Sequence, residues 1–289
     1  MNKTPIDTFL DEISRLDTFV EVALEGFGYS VHAESVTDFI RSSLLKGGGP
    51  PHPVSDDEIY KQRKKHARKL GDFSQAEETQ GHPFLFSLAV VRLYSLVEAA
   101  VDAVFFTTVR ERQEILNSEP FSRLKGPLVP FALATDDERA EILRDRLFQD
   151  SASINKIGIG RFEYLLNIIG QRSQVPETVR KVILELSEIR HVVVHRNGIV
   201  DGKFMRRCPW LELTLGAPFN VGHTAYRVYS LAITWYLMEL GLRWQNNDNE
   251  DRESEARIVQ RKLLSALEQR YIELRPNNSA CEGGTTTTA

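Results

Sequence analysis

The 289-residue chain reads as a mainly α-helical protein, a helical bundle carrying one small β insert. Three observations predict this. Apolar residues recur at three- and four-residue spacing along most of the chain. Gly, Pro and Asn fall between those periodic stretches as stops. Apolar residues alternate with polar ones only over a short region near residues 199–215.

Taken in order, residues 1–45 predict helix, with Phe9, Ile13, Leu16, Val20 and Leu24 on one face. Thr37 is the expected N-cap of a second helix ending at Leu45. The run Gly47-Gly48-Gly49-Pro50-Pro51-His52-Pro53 breaks regular structure, and Ser55-Asp56-Asp57-Glu58 suits a helix start. The helix after it is strongly basic, and Gly71 and Gly81-His82-Pro83 punctuate the way into an apolar helix at 84–109. A looser, proline-containing stretch covers 117–136. Helices are expected from Asp136 to Phe148, capped by Asp136 or Asp137, and from Arg161 to Ile169, stopped by Gly170. Pro176 is a good first residue for the next helix, whose apolar positions are Val179, Val182, Ile183, Leu186, Ile189 and Val193. Asn197-Gly198 ends it.

Asp201-Gly202 between two short apolar pairs predicts a tight hairpin, and Leu211, Leu213 and Leu215 a half-buried strand. A long apolar helix follows over Ala225–Trp244, opened by Thr224, and a charged amphipathic helix over 250–274. The end, from Pro276 to the GGTTTTA tail, has too little apolar content to fold. The expected organisation is an N-terminal helical region with a basic helix (1–80), a helical domain (82–245), a C-terminal amphipathic helix (246–275) and a disordered tail (276–289).

Composition narrows the function classes. Lys and Arg number 36 against 40 Asp and Glu, a net charge of −4, so bulk positive charge does not hold this chain on nucleic acid, though a local basic patch remains open. Two cysteines, Cys208 and Cys281, build neither a disulfide framework nor a four-cysteine zinc site. The first residues carry no apolar secretory core, and a cytoplasmic protein is expected. The segment 84–109 is long enough to span a bilayer, but Arg92, Glu98 and Asp102 near its middle would each cost about 2.5–3.5 kcal/mol there. A buried central helix, with no membrane partner, is the expectation.

The stretch that carries chemistry is Ser187–Asp201, SEIRHVVVHRNGIVD. His191 and His195 are four apart and share a helix face. Arg190 and His195 are five apart, about 140° around the helix, a gap an arginine can span. Carbonyls at a helix C-terminus favour a cationic imidazole, so an upward pKa shift is expected. A histidine titrating near neutral pH suits acid–base catalysis, and a guanidinium beside it suits a developing phosphorane charge.

Arg190-His191-x-x-x-His195, followed by Arg-Asn-Gly-Ile-Val-Asp, resembles the signature of the HEPN superfamily: Arg, usually a polar residue, three or four further residues, then His. The likeness extends over about 82–245, with the long apolar helix and its internal acid Glu98 upstream, and a β-like insert and apolar helix downstream. It implies an HEPN-like helical bundle and a metal-independent endoribonuclease needing no cofactor. His195 would take the proton of a ribose 2′-OH, which attacks the adjacent phosphate to leave a 2′,3′-cyclic phosphate and a 5′-OH. Arg190 and His191 would hold the phosphate, with Glu98 and Asn197 in support. The resemblance also implies a homodimer with a composite site, RNA as partner, a possible protein antitoxin or regulator, and a toxin or defence role. Some members of the family have lost catalysis and only bind nucleotides or partner proteins.

Plainer readings stand beside these. Arg190 can pair with Glu188 or Glu185, with His195 a helix cap. His191 and His195 have the spacing of a zinc-binding helix, if Cys208, His223 or a distant carboxylate completes the set for a zinc-dependent hydrolase. Glu98 and Asp102 can be a structural pair with a cation, or Glu98 can orient Arg190. The basic run of Lys61, Arg63, Lys64, Lys65, Arg68 and Lys69 can track an RNA backbone or be a solvated face.

Overall fold

The computed structural model describes residues 6–46, 56–126, 128–149, 156–245 and 255–275. The Gly/Pro break at 47–53, the start of the expected C-terminal helix and the tail with Cys281 lie outside these residues. The described helices are α1 (Asp7–Ser30), α2 (Ala33–Lys46), α3 (Asp57–Gln80), α4 (Pro83–Glu111), α5 (Leu128–Leu133), α6 (Asp136–Gln149), α7 (Ile159–Ile168), α8 (Glu177–Arg196), α9 (Gly202–Arg207), α10 (His223–Gln245) and α11 (Glu255–Leu274). Two 3-10 turns, Gln113–Asn117 and Phe121–Arg123, lie between α4 and α5. The mainly helical class holds.

Two compact units are present. The described residues within Met1–Ser14, Val90–Asn220 and Thr224–Ala289 form the first, and those within Arg15–Ala89 and Val221–His223 the second. The division falls inside α1 and α4, whereas the sequence reading placed a boundary at the helix junction near residue 81.

The core of the first unit is built on α4, α8 and α10. Leu93, Val97, Ala100, Val101 and Val104 of α4 are buried, as are Val179, Val182, Ile183, Leu186, Ile189 and Val192 of α8. The apolar phase of α8 is the expected one, except that Val192 closes the buried stripe in place of Val193. Helix α10 is buried nearly all round, from Tyr226 to Arg243. Among the described residues α4 is the one helix long and apolar enough to cross a membrane, and 56% of its most apolar stretch is packed inside the protein. Two of its three mid-helix charges are paired: Arg92 with Glu12 at 2.9 Å and Asp102 with Arg144 at 2.5 Å.

A buried polar network ties the last helix to this core. Arg243 of α10 binds Glu163 at 3.1 Å and Glu239 at 3.2 Å, and Glu239 also accepts from Arg257 and Gln260 of α11. Glu185 of α8 is fully buried and accepts hydrogen bonds from Trp210 Nε1 (2.6 Å), Tyr271 Oη (2.7 Å) and Tyr229 Oη (3.2 Å). Arg275 approaches it at 3.4 Å. A buried carboxyl is tolerable because both of its oxygens accept hydrogen bonds, although the Nε of Arg275 beside it is buried with no partner among the described residues.

The insert after α8 is not a hairpin. Asp201 is the N-cap of α9, accepting from the backbone N–H of Lys203 (3.1 Å) and Phe204 (2.8 Å). An Asp side chain that can cap a helix outcompetes a turn, and the helix buries Phe204 completely. Leu211 closes a 3-10 turn, and no strand exists among the described residues; one antiparallel bridge, Ile199 to Pro218, closes the loop.

Three other local expectations are corrected. Thr37 lies inside α2, its hydroxyl donating back to Ala33 O at 2.8 Å. Thr135, not Asp136 or Asp137, caps α6: its hydroxyl accepts from Glu138 N, and Glu138 returns an acceptor to Thr135 N. Gly71 does not interrupt α3, because a Cβ there would meet the carbonyl of Val31 at 3.3 Å; it is a close-approach glycine.

In the second unit α2 packs on α3 by its polar face. Lys64 binds Asp38 at 2.7 Å, Arg68 binds Glu34 at 2.8 Å, Tyr60 donates to Asp38 at 2.6 Å, and Arg41 pairs with Asp57. None of the side chains of α2 is buried.

Candidate functional site

The C-terminal half of α8 opens on a cleft of about 400 Å³ in the first unit. Three helices position its walls. Helix α8 supplies Ser187, Glu188, Arg190 and His191; α4 supplies Tyr94 and Glu98; α9 supplies Lys203 and Arg207, four apart and so on one face. Lys156, Ile157, Gly158 and Arg161 close it at the start of α7. Gly158 is required there. Its φ is +52°, and a Cβ would meet Leu184 of α8 at 3.1 Å. No side chain caps α7 at Gly158, so the positive end of the helix dipole adds to the cleft.

The cleft is cationic: Lys156, Arg161, Arg190, Lys203 and Arg207 face it, against Glu98 and Glu188. Arg207 is matched by the buried Glu188. Arg161 stacks on Phe148, with Cζ 3.9 Å from the ring centre. Arg190 pairs with neither Glu185, which is taken by other donors, nor Glu188, whose Oε1 is taken by Arg207 and whose Oε2 is buried with no partner among the described residues. Its guanidinium lies 5.9 Å from the centre of the Tyr94 ring, and its Nε is buried with no hydrogen-bond partner among the described residues. Burial raises the Glu98 carboxyl above the usual range, and the Arg190 charge pulls it part of the way back. Asp102 does not join Glu98; it is held by Arg144.

His191 faces the cleft, and its pKa is lowered from 6.5, first by burial and then by Lys203. At His191, desolvation and a neighbouring cation thus outweigh the helix C-terminus. His195 does not line the cleft. It is exposed, its ring 5.1 Å from that of His191. Asn197 is exposed in the left-handed conformation that ends α8, at φ 51°.

The zinc alternative finds no third ligand. Among the described residues no group of three His, Cys, Asp or Glu comes together. Burial pushes the Cys208 thiol well up, away from a thiolate ligand, and His223 belongs to the second unit, where it stacks on Phe86. The basic run also belongs to the second unit. Lys64 and Arg68 in it are engaged by α2, while Lys61, Arg63, Lys65 and Lys69 are exposed.

Sequence reasoning missed Lys156, Arg161, Lys203 and Arg207. A signal for the last two was present: Asp201 as a cap predicts a helix on which they share a face. For the first pair the signal was Gly158 and Gly160 between flanking cations at a helix start. Comparison with family models, curated proteins and solved structures found no match to this chain.

Proposed function

We propose that the chain is a metal-independent endoribonuclease of the HEPN type and that RNA is cut at the cleft on α8. The observation that carries this is the meeting of Arg190 and His191 with four further cations in one cleft of the first unit. Phosphate is the ligand such a charge set suits, and an arginine with an unused buried N–H has a hydrogen bond to give it.

The division of labour differs from the one implied by the resemblance. His191 faces the cleft with a lowered pKa, so it is neutral at pH 7 and accepts the 2′-OH proton. The 2′ oxygen attacks phosphorus and the bond to the 5′ oxygen breaks. His195, beside it, donates a proton to that leaving oxygen. Arg190 stabilises the pentacoordinate phosphate. The products are a 2′,3′-cyclic phosphate and a 5′-OH, and two copies of the chain bring their 187–198 segments together to complete the site. The exposed position of His195 favours a second reading, in which the cleft binds a nucleotide and does not cut.

The test is incubation of purified protein with mixed RNA in EDTA and identification of the product ends. Cyclic phosphate ends that depend on His191, His195 and Arg190 support the nuclease; each alanine variant should lose about 10²–10⁴-fold in rate. Binding without cleavage selects the second reading. Cleavage abolished by EDTA, or 5′-phosphate products, refutes both the mechanism and its residues.

A further inference from the structure

The proline-containing stretch between α4 and α6 folds over an apolar cavity of about 320 Å³ in the first unit, and this cavity shares no residue with the cleft on α8. Its floor is Phe121, buried and stacked on Phe105 of α4 at 6.4 Å. Phe131 of α5 and Ile142 and Leu143 of α6 form its walls. Leu116, Phe131 and Leu143 also line a separate pocket of about 420 Å³. The pocket opens to solvent on the side of Lys125 and Gly126, both exposed, so a ligand can enter it.

Two cations stand at the edge of the apolar space, Lys125 and Arg146. Arg146 follows Ile142 by four residues and Leu143 by three, so it shares their helix face one turn further on. The other arginines at the core of α6 are matched. Arg139 binds Asp136 and the carbonyls of Phe131 and Ala132, and Arg144 binds Asp102 and Asp145. Arg146 has one described partner, the neutral Gln149 Oε1, at 3.5 Å, the outer limit of a hydrogen bond. Neither Lys125 nor Arg146 meets a carboxylate among the described residues. A half-buried guanidinium gains most from a carboxylate that it can hold with two parallel hydrogen bonds.

We propose that this cavity binds an alkyl-chain carboxylate, its tail against Phe121, Phe131, Ile142 and Leu143 and its carboxylate on Arg146 and Lys125. The volume is within the span of small-molecule sites, and its make-up is theirs: apolar walls with a few polar groups to fix one end of the ligand. A nucleotide fits less well, because the walls offer a base or ribose no hydrogen-bonding side chain. The proposal stands apart from the ribonuclease reading, since the two sites have no residue in common.

The experiment is isothermal titration calorimetry of the full chain with dodecanoate, kept below the concentration at which it forms micelles. Saturable binding of one dodecanoate per chain is expected. Arg146→Gln should weaken it about tenfold or more, the loss of a charge-assisted pair, and Lys125→Gln several-fold. Both side chains reach solvent, so folding should survive, and circular dichroism checks that. Leu143→Trp should fill the cavity and abolish binding. Dodecanol, with the same tail and no charge, should bind at least tenfold more weakly than dodecanoate. The proposal is overturned by the absence of saturable binding, by an affinity unchanged in Arg146→Gln, or by dodecanol binding as tightly as dodecanoate. Flotation with vesicles of phosphatidylcholine and phosphatidylglycerol, without saturable dodecanoate binding, would overturn it in favour of a bilayer surface. RNA cleavage by Arg146→Gln should equal that of the wild type, which separates the failure of either reading from that of the other.

Discussion

Lys203→Ala tests whether the cleft on α8 is a phosphate site. Five cations line it and Arg207 is neutralised by Glu188, which leaves Lys156, Arg161, Arg190 and Lys203 for an RNA backbone. For single strands the logarithm of affinity falls with the logarithm of salt concentration by about 0.7 per neutralised phosphate, so four contacts give a slope of about −2.8. Affinity should then fall about 50-fold between about 50 and 200 mM salt. Removing Lys203 should bring the slope to about −2.1 and the loss to about 20-fold, for every RNA sequence alike. Lys203 sits on α9, whose stability rests on the Asp201 cap and on buried Phe204, so the substitution spares the fold. The assay is fluorescence anisotropy with a short labelled single strand in the His195→Ala background, so that cleavage does not interfere. A slope that stays at the wild-type value would refute phosphate contact by Lys203, and a wild-type slope near zero would refute the cleft as an RNA site.

The pH dependence of cleavage offers a second test. His191 must be neutral to accept a proton and its pKa is lowered from 6.5, so the acid limb of the rate profile should lie below pH 6.5. Lys203→Ala removes one cause of that lowering and should move the limb upward; a limb that stays in place would separate the two residues. The third test concerns stability. Glu185→Ala leaves the donors of Tyr229 and Tyr271 buried without an acceptor, at about 1–3 kcal/mol each, and that of the part-buried Trp210 unpaired, and should lower stability by at least ~2 kcal/mol in urea denaturation. Tyr271→Phe removes one bond and should cost about 1 kcal/mol; equal midpoints for both variants and wild type would refute the role given to Glu185.

The elements that could be read in the sequence are those whose physics is local. Helix α8 follows from its apolar period, from Pro176 before its first residue and from Asn197-Gly198 after its last. The elements misread are those settled by distant partners. Gly71 looks like a stop until α3 is set against Val31, where its missing Cβ is what permits contact. Asp201-Gly202 looks like a hairpin until Phe204 is seen to need burial and Asp201 caps the turn that buries it. The candidate site divides the same way. Arg190 and His191 stand out in the sequence as neighbours near a helix end, and Glu98 as an acid in an apolar helix. The cations that complete the cleft come from α9 and the start of α7, and only the tertiary fold brings them to α8.

The bonds around Glu185 carry an order in time. Its donors lie 25, 44, 86 and 90 residues further along the chain, and the last two arrive in the final turn of α11 and just past its end. At about 5–20 residues per second of synthesis, the helix that bears Arg190 and His191 exists for roughly 4–16 s before the side chains that finish its buried face are made. During that interval Glu185 lacks its closest tyrosine donor and its guanidinium. The helix that presents the cleft therefore reaches its final footing only as residues 271–275 are added, and a message cut short before them yields a chain whose cleft is assembled on an unfinished support.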